Sequence, residues 1–309
     1  MKETTNKYNS LKTVTLTDNN LIIINQTSTK GNQKKWKKDN FWFKADGLGY
    51  ESLSEYVVSS LLKYTNVNSY VNYDIVNINY HNKLMIGCKS KNISNNGQIV
   101  TLKKLLKTEL NIDVYDEIKK INSPKEKIKF VVESIEKATK LNNFGQYLTM
   151  LLEVDAFFLN EDRHLNNISF IYENEKYTPT PLYDFGASLF SDTYSDYPLE
   201  KTYDDCIKEI YAKPFTENFD DQCDFSEQLY GTQFEYNFSM KEVNEILSSV
   251  QQYYDKKIIL RMHDTLSAQL HKYKVYENNN IDFSKLNNQN VQKIKKGKNN
   301  QKSNNENEK

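Results

Sequence analysis

Apolar residues recur along this chain in two patterns, a strand-like one before residue 90 and a helical one after it. In the first part, short runs of β-branched and aromatic residues separated by polar turns predict strands, such as 70–77 and 83–88. One segment there, 52–62, instead places its apolar residues on a single helical face. From Leu102 onward, helical spacing dominates. The pattern indicates an α+β fold with a β-rich first part and a larger helical second part.

Capping residues mark the starts of two later helices. Ser123, Pro124 and Glu126 supply an N-cap, a proline at the first helical position and a glutamate at the third. Ser239 and Glu242 form a second capping box. Between these two helices, 145–159 is apolar enough to predict a buried helix.

The composition changes at both ends of the chain. Residues 1–10 are polar and predict a flexible N-terminus. From about residue 278, Asn, Lys and Gln replace apolar residues, which predicts a disordered tail over 278–309. Between the two ends we expect two structural units, 11–90 and 91–277.

Charge and cysteine content exclude several classes of protein. The formal net charge is zero, with 41 basic and 41 acidic side chains, so no global field attracts the whole chain to nucleic acid or anionic lipid. We therefore expect nucleic-acid contact only weakly, through lysines of the tail. Cys88, Cys206 and Cys223 show no C-x-x-C spacing and predict reduced thiols. The sequence shows neither a signal peptide nor an apolar run long enough to span a bilayer, so we expect a cytoplasmic protein, with secretion by another route as the alternative.

The most informative segment lies between residues 157 and 186. An apolar stretch leads into Asp162-Arg163-His164, Asn167 follows, and a predicted hairpin then leads to Asp184-Phe185-Gly186. A hairpin would bring Asn167, just before its first strand, close to Asp184, just after its second. This order of residues is typical of the metal and phosphate site of protein kinases.

Phosphoryl transfer explains why these residue types are needed. The enzyme must align the reacting groups and neutralise the charge that develops on the moving phosphoryl group. Asp162 is the candidate for the carboxylate that orients or receives the proton of the acceptor hydroxyl. Asp184 and the amide oxygen of Asn167 are the candidate ligands of Mg²⁺, which prefers hard oxygen ligands.

Lys44 is the candidate phosphate contact in the β-rich part, because it ends a predicted strand of aromatic residues. Glu55, in the first turn of the following helix, is its expected partner, and Glu51 is the rival. Alternatively, Ser52 and Glu55 form a capping box that serves only the helix end.

Two further segments are candidates for nucleotide binding. The polar loop before residue 36 contains a single glycine, Gly31, and its backbone N–H groups could cover the phosphates, although it lacks the G-x-G-x-x-G pattern and is equally a simple hairpin turn. Lys30, Lys34 and Lys35 are most simply solvated charges, of which one could contact phosphate. In the strand at 83–88, apolar side chains could flank adenine, and backbone groups from Ile86 to Cys88 could bind its edge.

These motifs resemble those of HipA-type serine/threonine kinases, and among them the short HipT-like and CtkA-like kinases. The resemblance rests on Asn160 to Asn167 and Pro181 to Gly186, with support from Lys44, Glu55 and 86–90, and it covers about residues 15–275. It implies a two-lobed kinase-like fold, ATP and Mg²⁺ as cofactors, and transfer to serine or threonine of a protein substrate. It also implies autophosphorylation near Ser28, with Thr27 and Thr29 as neighbours, and a role as the toxin of a toxin–antitoxin pair.

Two departures from that family pattern matter. Full-length HipA-type toxins carry an additional N-terminal subdomain, so this subdomain is either a separate partner polypeptide or absent. No Ala-Pro-Glu follows Asp184, which argues against an activation loop controlled as in eukaryotic kinases. A lipid or small-molecule kinase of the same fold is the alternative function, and a catalytically silent binding module is the second.

Three further interpretations concern the surroundings of the motif. We expect His164 to brace its loop through hydrogen bonds rather than to act in catalysis, and Arg163 to orient loop backbone or a nearby carboxylate. The stretch 191–233 is polar and aromatic, and we interpret it as a solvated connection. The acidic residues at 217–221 could alternatively favour a basic substrate segment.

Overall fold

A computed structural model describes residues 11–22, 33–94 and 97–284 of the chain. Its first part is a six-stranded sheet in the order β1-β5-β6-β4-β3-β2, with β1 parallel to β5 and all other neighbours antiparallel. The elements are β1 (Thr13–Leu16), β2 (Leu21–Ile22), β3 (Lys35–Lys38), β4 (Phe41–Ala45), helix α1 (Glu51–Leu62), β5 (Tyr73–Tyr80) and β6 (Lys83–Lys91).

The two faces of this sheet have different roles. One face buries a small apolar cluster around Trp36, Phe43 and Ile78. On the other face, the register aligns Lys35, Lys44 and Cys88 across β3, β4 and β6. Helix α1 packs against β4, β5 and β6, and its predicted apolar stripe at 57, 58, 61 and 62 is fully buried. Lys44 therefore reaches the space beside α1.

A three-stranded sheet and eight helices form the rest of the described chain. The elements are β7 (Gln98–Thr101), α2 (Leu102–Leu110), α3 (Val114–Lys120), α4 (Pro124–Thr139), α5 (Phe144–Phe158), β8 (Ser169–Glu173), β9 (Lys176–Pro179), α6 (Tyr203–Glu209), α7 (Phe219–Tyr230), α8 (Met240–Val250) and α9 (Lys256–Lys272). Ser123 and Ser239 cap α4 and α8 as predicted.

The hairpin expected between Asn167 and Asp184 is present. Strands β8 and β9 pair antiparallel, with Glu173 opposite Lys176. The two residues between them, Asn174 and Glu175, both adopt left-handed backbone angles, with φ of 51° and 61°. Such a two-residue turn matches the twist of the strands and keeps the hairpin short.

The interpretation of 191–233 as a solvated connection is wrong. This stretch contains α6 and α7, and it buries Tyr197, Phe215 and Phe219 in the main core. One acidic residue of 217–221, Asp220, has partners within the fold, and the alternative that this stretch favours a basic substrate segment stays a prediction. Asp220, in the first turn of α7, accepts a hydrogen bond from the Tyr273 hydroxyl at 2.7 Å and pairs with Lys272 at 2.8 Å.

The main core runs from α1 to α9 around α5, which is buried along most of its length. A central buried helix gives the loop that follows it a rigid support, as a precise site requires. No helix in the described ranges combines the length and apolar character needed to cross a bilayer. The boundaries proposed at 10, 90 and 277 remain predictions, and of the tail only 278–284 is described.

Candidate active site

Arg163 holds the loop that follows α5 in place. Its guanidinium is 1% exposed and donates to both carboxylate oxygens of Asp155, from Nε at 2.7 Å and from Nη2 at 3.0 Å. Nη1 donates to the backbone oxygens of Tyr183 at 2.9 Å and Asn167 at 3.3 Å. Arg163 thus orients both the loop backbone and a nearby carboxylate, as expected. It also connects the Asp162 loop to the residue before Asp184.

Asn160 adds a second tie that sequence reasoning missed. Its side-chain amide donates to Asp155 Oδ1 at 2.8 Å and to the backbone oxygen of Asp184 at 3.3 Å. Because α5 ends at Leu159 in a left-handed conformation, with φ of 55°, the chain turns sharply into this loop. In the sequence, the only indication of this role is an amide side chain close to the Asp-Arg-His motif.

Lys44, Glu55 and Asp184 form one connected charge cluster. The Lys44 ammonium contacts Asp184 Oδ1 at 2.6 Å and forms an ion pair with Glu55 Oε1. The second oxygen of Glu55 accepts the backbone N–H of Phe185 at 2.9 Å. Glu55 therefore positions both the lysine and the Asp-Phe-Gly segment from a single point on α1.

The charges of this cluster are mutually stabilised. Burial opposes ionisation of Asp184, but Lys44, and then Lys35, more than offset it and hold the pKa of that carboxyl well below its usual range. Burial also disfavours the ammonium of Lys44, whose pKa is nevertheless raised well above its usual value by Asp184 and Glu55. At neutral pH the cluster thus contains an ionised aspartate beside a charged lysine.

The structure distinguishes Glu55 from Glu51 as the partner of Lys44. Glu51 instead accepts the backbone N–H groups of Gly47, Leu48 and Gly49, at 3.2, 2.7 and 3.1 Å. The alternative capping box of Ser52 and Glu55 does not form, because the N-cap of α1 is Tyr50, two residues before Ser52. Glu51 therefore closes the turn before α1.

Asp162, Asn167 and Asp184 line the same cleft, together with Glu161, His164 and Lys35. The cleft opens to solvent, so a ligand can reach these side chains. Asn167 donates from its amide nitrogen to the backbone oxygen of Asp162 at 3.0 Å, which leaves its amide oxygen to act as a ligand. An ionised carboxylate and an amide oxygen on one cleft are donors that fit Mg²⁺.

The predicted adenine contact through the backbone of Ile86 to Cys88 is wrong. Strand β6 lies in the interior of the sheet, with β5 on one edge and β4 on the other. Its backbone N–H and C=O groups at these positions therefore belong to the sheet ladders, and the Ile86 oxygen also accepts from Asp46. The side chains of Ile86 and Cys88 share the face of Lys44, because alternate residues of a strand lie on the same face.

The prediction that His164 braces its loop through side-chain hydrogen bonds is also wrong. Its Nε2 lies 3.9 Å from Asp162 Oδ2, beyond hydrogen-bonding distance, and within the described ranges its buried Nδ1 has no partner. Burial lowers the pKa of His164, so the imidazole is neutral at neutral pH. Backbone hydrogen bonds of His164, not its side chain, hold the turn.

Two candidate phosphate contacts, Gly31 and Lys30, and the candidate autophosphorylation site at Ser28 with Thr27 and Thr29 lie outside the described residues. Lys35 is described, and it lines the cleft beside Asp184. Lys213 was not predicted at all, yet its ammonium contacts Asp162 Oδ1 at 3.2 Å from the loop between α6 and α7.

The β-rich part and the helical part together form a kinase-like fold. The chain is similar to the Helicobacter pylori proinflammatory kinase CtkA, with a TM-score of 0.53 and 15% identity over 84% of this chain and 95% of that one. It also aligns with the toxin–antitoxin protein HipA of Shewanella oneidensis MR-1, from a complex with HipB and operator DNA, at a TM-score of 0.45 and 15% identity over 83% of this chain and 63% of HipA. No family model and no curated protein matches the sequence. The similarity to CtkA shows the fold that the sequence motifs led us to expect.

Proposed function

We propose that this protein is an ATP- and Mg²⁺-dependent serine/threonine protein kinase of HipA type. The observation that carries the proposal is the convergence of four side chains from distant parts of the chain. Lys44 contacts an ionised Asp184, and Asp162 and Asn167 line the same cleft. Fold alone would not support an activity, because one fold serves many functions.

Each residue has a defined task in this proposal. Asp184 and Asn167 would hold the metal, which neutralises phosphate charge, and Lys44 would bind the nucleotide phosphates. Asp162 accepts the proton of the acceptor hydroxyl, and Arg163 and Asn160 keep its loop in register with Asp184. Glu55 orients Lys44 and the backbone of Phe185 together.

The test is transfer of labelled phosphate from ATP, with Mg²⁺, to cell proteins and to the protein itself. We expect Asp162→Asn and Asp184→Asn each to lower the rate by at least about a hundredfold, the scale of losing a general base or a charge-stabilising group. Asp116→Asn makes the same chemical change at an exposed position of α3 and should leave the rate unchanged. Equal labelling by wild type and both site variants would contradict the proposal.

The same experiment separates the alternatives. Labelling of an extracted lipid or metabolite pool, without labelling of protein, identifies a lipid or small-molecule kinase. A silent binding module would show no change in melting temperature with nucleotide, whereas ligand at 100 times its Kd stabilises a protein by about 2.7 kcal/mol. The toxin role and the modification near Ser28 rest on sequence resemblance. Phosphoproteomics of cells expressing wild type or Asp162→Asn tests both.

A further inference from the structure

Lys213 lies beside the candidate catalytic base although it is 51 residues away along the chain. Its Nζ is 3.2 Å from Asp162 Oδ1, and the two side chains are 22% and 16% exposed. The ammonium also lies over the ring of Tyr211, 5.3 Å from its centroid. Both side chains are therefore partly sheltered from solvent, and Asp162 lines the cleft.

The loop that carries Lys213 is anchored from inside the protein. The side chain of Gln222, on α7, is 1% exposed, donates to the backbone oxygen of Lys213 at 3.0 Å and accepts the N–H of Phe215 at 3.1 Å. Phe215 is itself buried, and Ala212 donates to the backbone oxygen of Glu217 at 2.8 Å. The position of the Lys213 backbone is thus set by core contacts on both sides.

Of the described cations near Asp162, Lys213 is the one in direct contact with its carboxylate, whereas Lys35 lines the cleft beside Asp184. Arg163 is buried and its guanidinium is occupied by Asp155 and two backbone oxygens. His164 is neutral, because burial lowers its pKa. Lys44 pairs with Asp184 and Glu55.

A cation is needed at this point if Asp162 acts as a base. The carboxylate of Asp162 and the phosphoryl group that approaches the acceptor are both anionic, so they repel each other unless a positive charge lies between them. Preorganised charges of this kind contribute most where water is partly excluded. The Lys213 ammonium already contacts one oxygen of the Asp162 carboxylate.

Building on the proposed kinase function, we propose that Lys213 is a catalytic residue that binds the phosphoryl group during its transfer. In this step the acceptor hydroxyl oxygen forms a bond to the γ-phosphorus. The bond between that phosphorus and the bridging oxygen breaks, and its electron pair leaves with ADP. The hydroxyl proton moves to Asp162, and the ammonium of Lys213 contacts both Asp162 and the oxygens of the moving group.

The kinetic test compares Lys213→Met, Lys213→Arg and a control, Lys208→Met, which removes an exposed lysine of α6. We expect Lys213→Met to lower kcat about a hundredfold, with KM for ATP close to that of wild type, because the contact is made mainly in the transition state. Lys213→Arg should recover part of the lost kcat, since it keeps the charge. Lys208→Met should match wild type. Thermal melts without nucleotide verify that each variant folds.

A binding measurement provides a readout that does not depend on turnover. Aluminium fluoride with ADP and Mg²⁺ mimics the planar phosphoryl group in transfer, whereas ADP and Mg²⁺ alone lack that group. We expect aluminium fluoride to raise the melting temperature of wild type and Lys208→Met beyond the value in ADP. Lys213→Met should respond to ADP as wild type does and lose the additional rise.

Two results would overturn this assignment. An unchanged or higher kcat of Lys213→Met would show that the contact between Lys213 and Asp162 shields the carboxylate without contributing to catalysis. A full response of that variant to aluminium fluoride shows that the ammonium does not bind the moving group. Failure of the proposed function is recognised separately, because wild type would then label no more than Asp184→Asn.

Discussion

Helix α5 carries two buried carboxylates that the fold treats in opposite ways. Asp155 and Glu153 are both fully buried, and their positions are about 200° apart around the helix. Asp155 faces the loop that carries Asp162 and receives two hydrogen bonds from Arg163, at 2.7 and 3.0 Å. Glu153 faces the start of the 233–238 segment and accepts the N–H groups of Gln233 and Phe234, at 3.0 and 2.7 Å. No ion pair of Glu153 occurs within the described ranges.

The difference shows where this protein keeps buried charge. Burial, together with Glu227 nearby, raises the pKa of Glu153 to about 8, so this group is mostly neutral at pH 7. On the cleft side, Arg163 pairs with Asp155, and Lys44 pairs with Asp184. Buried ion pairs are weak sources of stability, because desolvation offsets their attraction. Their concentration at the cleft is better explained by the chemistry proposed there than by a need for stability.

The largest effect is expected from removing the cation on the cleft side. Arg163→Met leaves the Asp155 carboxylate buried without its partner, which should cost about 3–5 kcal/mol of the free energy of unfolding. It should also abolish phosphotransfer, since Arg163 holds the backbone of Tyr183 and Asn167. Urea denaturation and the ATP-labelling assay measure the two effects. A loss below about 1 kcal/mol would show that Asp155 does not depend on Arg163.

A smaller effect, with a defined pH dependence, is expected on the far side of α5. The pKa of Glu153 is about 8 in the folded protein against 4.5 for an ordinary glutamate. As pH rises between these values, the unfolded chain loses the proton while the folded protein keeps it. The wild type therefore loses stability across this window, and the loss is complete above pH 8.

Glu153→Gln cannot ionise and should avoid that loss. Its free energy of unfolding should be similar to that of wild type at pH 4 and exceed it by about 3 kcal/mol at pH 7. Urea denaturation from pH 4 to pH 8 measures the difference. A constant offset between the two proteins over this range would mean that Glu153 is ionised in the folded state.

The central motif could be predicted from sequence because its geometry is local. Asn167 and Asp184 are joined by a short hairpin whose turn and strands are visible in the residues themselves. The pair of Lys44 and Glu55 could be proposed because the strand and the helix that carry them are adjacent in the chain. The choice between Glu55 and Glu51 could not be made, because the true start of α1 depends on a turn that Glu51 itself closes.

The contacts that could not be predicted depend on the tertiary arrangement of helices and strands that are distant in the chain. The backbone of Ile86 to Cys88 is unavailable because β4 pairs with β6, a neighbour that no local pattern indicates. Lys213 approaches Asp162 only because α7 fixes its loop through Gln222. Asn160 and Asp155 acquire their roles from Arg163, so their importance appears only once the loop is folded.

The smallest effect is expected from an ion pair at the surface. Lys272 and Asp220 are 2.8 Å apart, as close as the buried pairs, but their side chains are 38% and 50% exposed. Water and salt screen such a pair, and Asp220 keeps the hydrogen bond from Tyr273 when the lysine is removed. Lys272→Met should therefore cost only about 0.2–1 kcal/mol, and less at high salt. Urea denaturation could instead show that Lys272→Met lowers the free energy of unfolding as much as Arg163→Met does. In that case the distance between the charges, and not their burial, would set the stability that each ion pair contributes. The explanation given for the difference between the two sides of α5 would then fail.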